Sequence, residues 1–143
     1  MQKVHFINND RAPALKDRKL LKAFLEQLFI SEGKTLASLN YIFCSDKYLL
    51  EVNRQFLDHD YFTDVITFDL SEKRQPVAGE VYISVDRVKD NATGLGVSFK
   101  NELHRVLFHA ALHLCGYDDK TKKGTLEMRS KEDYYLNIYK TGK

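Results

Sequence analysis

The sequence has few cysteines, no long apolar run and little net charge, and these shortages limit the class of protein. Two cysteines, Cys44 and Cys115, do not make a disulfide framework, which favours a reduced, cytosolic protein. No run approaches the roughly 18 apolar residues of a membrane span, and the N-terminal segment lacks the apolar core of a signal peptide. We therefore expect a soluble, cytoplasmic protein with no membrane partner. A net charge of +2 alone decides nothing about nucleic-acid binding.

Length and composition predict one globular domain spanning residues 1–143, because 43% of the residues are hydrophobic. Residue spacing predicts strands at 4–7, 38–44, 65–70 and 79–84, the last two forming an antiparallel hairpin. It predicts helices at 14–31, 46–57, 86–94, 99–116 and 124–139, with Ser45, Asp86 and Ser98 as N-caps. The expected fold class is α+β or mixed α/β, with a four-stranded mixed sheet and helices around a central, metal-bearing helix.

The end of the helix at 99–116 carries a candidate metal site. His109 and His113 lie four residues apart, so they share one helical face at about 100° per residue. Gly116 is expected to end the helix in the left-handed conformation, after which Asp119 can return a carboxylate to the same ion. The spacing predicts one Zn²⁺ per chain, held by His109, His113 and Asp119 with one open position, as in catalytic zinc sites.

Two alternatives at this site remain open. Histidines four residues apart also occur by coincidence on a half-buried helix, although the glycine and aspartate that follow favour the metal site. Cys115 is a further ligand type, but it lies about 200° around the helix from His113. We therefore expect Cys115 to be a small buried hydrophobic residue.

The histidine spacing resembles that of zinc peptidases of the metzincin type. Those enzymes carry a glutamate directly after the first histidine as the general base. This chain has Ala110 there, so peptide hydrolysis is not expected.

Longer segments support a more specific resemblance. Residues 109–119 read His-Ala-Ala-Leu-His-Leu-Cys-Gly-Tyr-Asp-Asp, residues 63–68 Thr-Asp-Val-Ile-Thr-Phe and residues 79–84 Gly-Glu-Val-Tyr-Ile-Ser. Asn53-x-x-Phe56 precedes these segments, and Met128 with Glu132-x-x-Tyr-Leu136 follows them. In this order they resemble the YbeY family, whose signature is His-Gly-x-Leu-His-Leu-x-Gly-Tyr-Asp-His. The resemblance covers residues 35–139.

The resemblance implies a fold of one central helix among a small mixed sheet and several helices, with one bound zinc ion. It implies a single-strand-specific, metal-dependent endoribonuclease that acts in 16S rRNA 3′-end maturation and ribosome quality control. The expected partners are ribosomal RNA and the small ribosomal subunit, with a ribosomal protein as a further candidate. The oligomeric state stays open.

The chain departs from the family pattern at three positions. Asp119 replaces the third histidine ligand, and an anionic ligand makes the metal a weaker Lewis acid. Leu57 stands where the family has an arginine thought to contact RNA phosphate, and Arg54 or His59 is a candidate replacement. Glu80 replaces an aspartate, which conserves the charge.

The remaining site candidates are titratable or basic side chains. Asp64, Glu80 and His59 are candidate proton-transfer groups, although each is equally compatible with a structural role in a turn or an exposed loop. Arg54, Lys120, Lys122 and Lys123 are candidate RNA-binding residues, with Arg129 and Lys131 nearby. Tyr117, Tyr61 and Phe62 are either stacking surfaces for bases or core aromatics.

Two other functions compete with RNA hydrolysis. A non-catalytic ribosome assembly factor would use a structural zinc to hold the C-terminal loop, and the missing arginine and altered ligand favour it. A metal hydrolase acting on a small molecule would turn over generic phosphoesters without binding RNA.

Overall fold

The computed structural model describes residues 2–73 and 75–141, and within these ranges the chain forms one sheet and five helices. The strands are β1 (Val4–Asn8), β2 (Leu36–Cys44), β3 (Val65–Asp69) and β4 (Val77–Ser84). The helices are α1 (Arg18–Ser31), α2 (Asp46–Leu57), α3 (Val85–Leu95), α4 (Phe99–Leu114) and α5 (Lys122–Thr141). This order confirms the predicted mixed α/β arrangement. None of the described helices is long and apolar enough to cross a membrane.

The sheet is mixed, with the strand order β1-β2-β4-β3. β1, β2 and β4 run parallel to one another, and β3 pairs antiparallel with β4 from Val65↔Ile83 to Asp69↔Gly79. The predicted hairpin is therefore confirmed. Because β4 joins β2 by a crossover, the hairpin places β3 at the edge of the sheet, beside the last turns of α4.

Alternate residues of the strands face two different layers. Tyr41 of β2 and Val81 of β4 belong to the main core with α1, α4 and α5, whereas Ile66 of β3 packs with Leu49 of α2 on the other face. α4 is the central helix, since its residues from Val106 to Leu112 are buried apart from His109.

One close approach fixes the position of α4 against the sheet. A Cβ atom at Gly79 would lie 2.6 Å from Cδ1 of Leu114, so glycine allows the end of α4 to pack closely on β4. This packing brings the histidines of α4 next to β3.

Helix boundaries follow the predicted caps at two of three places. Ser45 and Ser98 accept hydrogen bonds from the backbone N–H groups of Tyr48 and Asn101, as expected. For α3 the N-cap is Ser84 and not Asp86, because Ser84 Oγ accepts from the Arg87 N–H while the Asp86 carboxylate accepts from the Asp46 N–H.

Helices α1 and α5 differ from the predicted ranges. α1 begins at Arg18 and not near residue 14, because Asp17 has a left-handed backbone (φ 56°) that interrupts the helix. α5 runs from Lys122 to Thr141, about a residue or two beyond the predicted range at each end.

Candidate active site

The end of α4 and the loop after it bring a carboxylate back to the first histidine. Cys115 is the C-cap of α4, and Gly116 has a φ of 110°, so the chain reverses where the sequence predicts it. Asp119 Oδ2 then lies 3.8 Å from Nε2 of His109. His113, one turn further along α4, is exposed and lines the same cleft.

The cleft has a volume of about 470 Å³ and lies between α4, β3 and α5. α4 contributes Glu102, Arg105 and the two histidines, and α5 contributes Met128, Arg129 and Glu132. The β3 side contributes Thr63, Asp64, Val65 and Thr67. The cleft therefore combines imidazoles, carboxylates and guanidinium groups in one space.

Glu132 anchors His109 from the opposite side of the ring. Its Oε2 lies 2.6 Å from Nδ1 of His109, and the residue is only 4% exposed. Burial raises the pKa of Glu132, but hydrogen bonds from His109 and Arg105, together with the charges of His109 and Arg129, lower the pKa by more, so the carboxylate is ionised. Nδ1–H of His109 is thus the donor, and Nε2 is the nitrogen that faces Asp119.

Arg105 completes this arrangement. Its NH1 and NH2 groups donate to Oε1 of Glu132 at 2.8 Å and to Oδ1 of Asp133 at 2.7 Å. Arg129 lies 3.6 Å from the same Glu132 oxygen, with 61% of its side chain exposed. The buried charge of Glu132 is therefore balanced by two guanidinium groups, one held in place and one open to the cleft.

Asp64 and Glu102 are two further carboxyl groups in the cleft. Burial raises the pKa of Asp64, and the charges of His109 and Arg87 oppose this only in part. Burial also raises the pKa of Glu102, and the charge of Asp64 raises it further. Carboxyl groups with raised pKa values in a cleft are candidates for proton transfer.

The residues fit a zinc ion in donor type but not as an assembled set. Within the described ranges, no three His, Cys, Asp or Glu side chains are gathered closely enough to hold a metal ion. However, the carboxylate–imidazole contact between Glu132 and His109 is the arrangement that typically orients a metal-binding histidine. The zinc site of His109, His113 and Asp119 stays a prediction.

Six of the predicted site residues do not line the cleft, namely Glu80, His59, Arg54, Lys120, Lys122 and Lys123. Glu80 of β4 shares its sheet face with Tyr82, which packs on the α2 side of the sheet, opposite α4. His59 contacts Tyr61 through Nδ1 at 2.9 Å. Arg54 forms ion pairs with Glu51 and Asp60. Of the three proton-transfer candidates, the structure brings only Asp64 into the cleft.

The candidate lysines are exposed, whereas the candidate stacking residue Tyr117 has a structural contact. Lys120 is exposed in the loop before α5, and Lys122 and Lys123 are exposed in the first turn of α5. Tyr117 is half-buried, and its hydroxyl donates a hydrogen bond to Glu32 at 2.7 Å, which makes it a structural residue.

Cys115 is buried, and burial raises the pKa of its thiol to about 12, as expected for a hydrophobic role.

Glu132, Arg105 and Glu102 are the site residues that sequence reasoning missed. A signal for Glu132 exists, because it falls on the same face of α5 as the buried Met128 and Leu136. A charged residue on an apolar stripe indicates a buried partner. The partner itself, 23 residues away on α4, is not readable from the spacing.

The fold and the cleft together define a small mixed α/β protein with a histidine–carboxylate site on its central helix. Residues 5–140 match the family model described as Endoribonuclease YbeY. The chain therefore belongs to the endoribonuclease YbeY family.

Individual relatives agree with this assignment. Endoribonuclease YbeY of Cytophaga hutchinsonii is 49% identical over 137 residues, which covers 96% of each chain. The Porphyromonas gingivalis protein of the same name is 40% identical and covers 95% of this chain and 89% of its own. The solution structure of TM1509 from Thermotoga maritima has a TM-score of 0.67 at 33% identity, and covers 95% of this chain and 88% of that one.

Proposed function

We propose that this chain is a single-strand-specific, metal-dependent endoribonuclease that acts in 16S rRNA 3′-end maturation and ribosome quality control. Family membership supports the reaction class, which is hydrolysis of RNA phosphodiester bonds. The observation that carries the choice of site is the buried contact between Glu132 and Nδ1 of His109, which directs Nε2 toward Asp119. We also propose that the protein acts in the cytoplasm, because its proposed substrate is ribosomal RNA.

His109, His113 and Asp119 would hold one Zn²⁺, which would act as a Lewis acid and water-activating centre. Neighbouring side chains of the protein hold these ligands in the orientation needed for binding. Glu132 fixes the tautomer and the ring orientation of His109, and Arg105 in turn fixes Glu132 through a hydrogen bond of 2.8 Å. A ligand held in this way does not have to be ordered when the ion binds.

Asp64 is our candidate for the group that accepts a proton in the cleft. It lines the cleft at the start of β3, and burial raises its pKa, which makes the carboxylate a stronger base than an exposed aspartate. Arg129, with most of its side chain exposed on the opposite wall, is the candidate for contact with a phosphate oxygen. It would compensate for the arginine that Leu57 replaces, while Lys120, Lys122 and Lys123 would extend the contact along the strand.

The direct test is cleavage of a labelled single-stranded RNA, compared with its duplex, by the zinc-loaded protein and by Asp64→Asn. We expect the single strand alone to be cut, and the variant to be slower by roughly 10²- to 10⁴-fold while keeping its metal. Asp90→Asn, at an exposed position on α3, is the matched control and should leave the rate unchanged. Wild-type protein that binds RNA and ribosomes without cutting RNA would instead establish the binding-only assembly factor.

A further inference from the structure

The loop between α2 and β3 carries exposed aromatic rings next to the cleft. Thr63 and Asp64 line the cleft, while Tyr61 and Phe62 directly before them are 55% and 52% exposed. Consecutive Cα atoms are about 3.8 Å apart, so Phe62 Cα is within about 8 Å of Asp64 Cα. The two rings therefore belong to residues one and two positions before the wall of the cleft.

Each ring is supported on one face by another side chain. Tyr61 stacks on His59 with the ring centres 5.1 Å apart and 22° between the planes, and its hydroxyl contacts His59 Nδ1 at 2.9 Å. The Arg87 guanidinium lies 5.1 Å from the centre of the Phe62 ring, and Arg87 is itself paired with Asp46 at 2.7 Å. Rings held in this way lose little conformational entropy when a ligand packs on them.

The charges around the loop favour bases over phosphates as the ligand. Asp58 and Asp60 lie in the loop, and Arg54 is occupied by Asp60 and by Glu51. The guanidinium beside the Phe62 ring, that of Arg87, is likewise paired with Asp46, so an anionic phosphate gains little from this surface. Every base, in contrast, has an apolar face that stacks on aromatic rings. The exposed guanidinium of Arg129, our candidate for contact with a phosphate oxygen, lies on the other wall of the cleft. The proposed phosphate contact and the aromatic rings are therefore on different sides of the cleft.

We propose that Tyr61 and Phe62 form a stacking platform for unpaired bases of the RNA strand whose phosphodiester occupies the cleft. This inference rests on the proposed function and adds to it a base-binding surface. It also supplies a physical reason for single-strand specificity, because bases paired and stacked in a duplex cannot turn out onto the rings.

The chain contains no tryptophan, so Phe62→Trp places a single fluorescent reporter in the platform. The zinc-loaded variant is titrated with a 2′-O-methyl oligouridylate, whose length is checked on a gel after each titration, and with the same backbone lacking its bases. We expect the oligouridylate to quench the tryptophan emission and the abasic strand to leave it unchanged. Equal emission with both strands would overturn the proposal.

A second experiment measures the affinity of variants that lack the tryptophan reporter for the same oligouridylate. Tyr61→Ala or Phe62→Ala should weaken binding of the oligouridylate by roughly 5- to 100-fold without changing the salt dependence, because no phosphate contact is lost. Tyr61→Phe keeps the ring and should restore affinity. Tyr134→Ala, which removes a ring 56% exposed on α5 and outside the cleft lining, is the matched control.

The outcomes separate this inference from the function on which it rests. If wild-type protein does not bind the oligouridylate, the RNA-binding part of the proposed function fails and the platform fails with it. If wild type binds and Tyr61→Ala binds as tightly as Tyr134→Ala, only the platform is refuted, and the exposed rings are left as a surface for a protein.

Discussion

At the scale of single residues, the pairing of His109 with Glu132 leaves Nε2 of the imidazole facing Asp119. Burial lowers the pKa of His109, but the hydrogen bond and charge of Glu132, together with the charges of Asp119 and Asp64, raise it by more. The carboxylate therefore stabilises a proton on Nδ1 and makes Nε2 the nitrogen that is presented to the cleft. A metal ion bound there would gain from the increased electron density of the ring.

Replacement of Glu132 by glutamine tests this pairing. Glu132→Gln keeps the size of the side chain but removes the charge, so we expect Zn²⁺ affinity to fall by roughly 10- to 100-fold. The measurement is competition with a chromophoric chelator. The matched control is Asp133→Asn, since Asp133 also accepts from Arg105, at 2.7 Å, and is not among the groups contacting His109. Equal affinity in the two variants would contradict the orienting role.

Only part of this site can be predicted from the sequence, because some of its contacts join residues that are far apart along the chain. The closeness of His109 and Asp119 follows from helical geometry and the glycine stop, both of which are local. The Glu132 contact depends on how α5 packs on α4, which no local pattern specifies. For the same reason Glu80, whose charge made it a candidate, lies on the other face of the sheet from the cleft, since alternate residues of a strand point to opposite faces.

At the scale of elements, the loop from Cys115 to Thr121 determines where Asp119 stands. Tyr117 ties the loop to Glu32 at the end of α1, and Glu32 also accepts hydrogen bonds from Tyr135 and Lys131 of α5. On its other side the loop packs on Gly124, where a Cβ atom would lie 2.7 Å from the backbone oxygen of Asp118. The loop is therefore held between two helices.

Gly124→Ala tests the packing of the loop. The added methyl group meets a backbone atom, so we expect the free energy of unfolding to fall by about 1–3 kcal/mol and Zn²⁺ affinity to fall because Asp119 is displaced. Gly94→Ala is the control, because Gly94 is in helix α3 with open space around its Cβ position. That variant should gain about 0.5–1 kcal/mol. Denaturant unfolding and chelator competition measure the two effects, and stabilisation by both substitutions would contradict the packing.

The pH dependence of stability tests the Glu32 contacts. Burial raises the pKa of Glu32, but hydrogen bonds from Tyr135, Tyr117 and Lys131 lower it by more, to below its ordinary value of 4.5. The stability contributed by the carboxylate is therefore present above that value and is lost as the pH falls through the lowered pKa.

Glu32→Gln should lower the free energy of unfolding by about 1–3 kcal/mol at neutral pH, and its difference from wild type should shrink as the pH falls below 4.5. Urea unfolding at a series of pH values measures this, with Glu127→Gln, an exposed position on α5, as the control. A difference that stays constant below that pH would show that the carboxylate charge contributes nothing.

The elements themselves were largely predictable because their signals are local. Serine caps place the starts of α2 and α4 at the residues where the structure begins them. The start of α1 was predicted too early, because the left-handed backbone of Asp17 leaves no trace in the apolar spacing that runs through it. Asp86 was an equally good cap by residue type as Ser84, and only the fold shows that its carboxylate accepts from Arg11 and from α2 instead.

At the scale of the whole molecule, the sheet topology assembles the cleft. Because β3 lies at the edge of the order β1-β2-β4-β3 and runs antiparallel to β4, the start of β3 comes beside α4 and places Asp64 across from His109. The hairpin was predictable from the sequence, but the insertion of β4 beside β2 was not, since it depends on long-range pairing. The proposed proton acceptor and the proposed ligands meet only through this topology.

The central claim is that His109, His113 and Asp119 hold one zinc ion, and elemental analysis of tag-free protein tests it most directly. The wild type, His109→Ala and Asp119→Ala should be purified without chelator and compared at equal concentration. We predict about one zinc per chain in the wild type and clearly less in both variants, whose circular dichroism should remain that of folded protein. A wild-type protein without stoichiometric metal, or variants that retain it in full, would contradict the account.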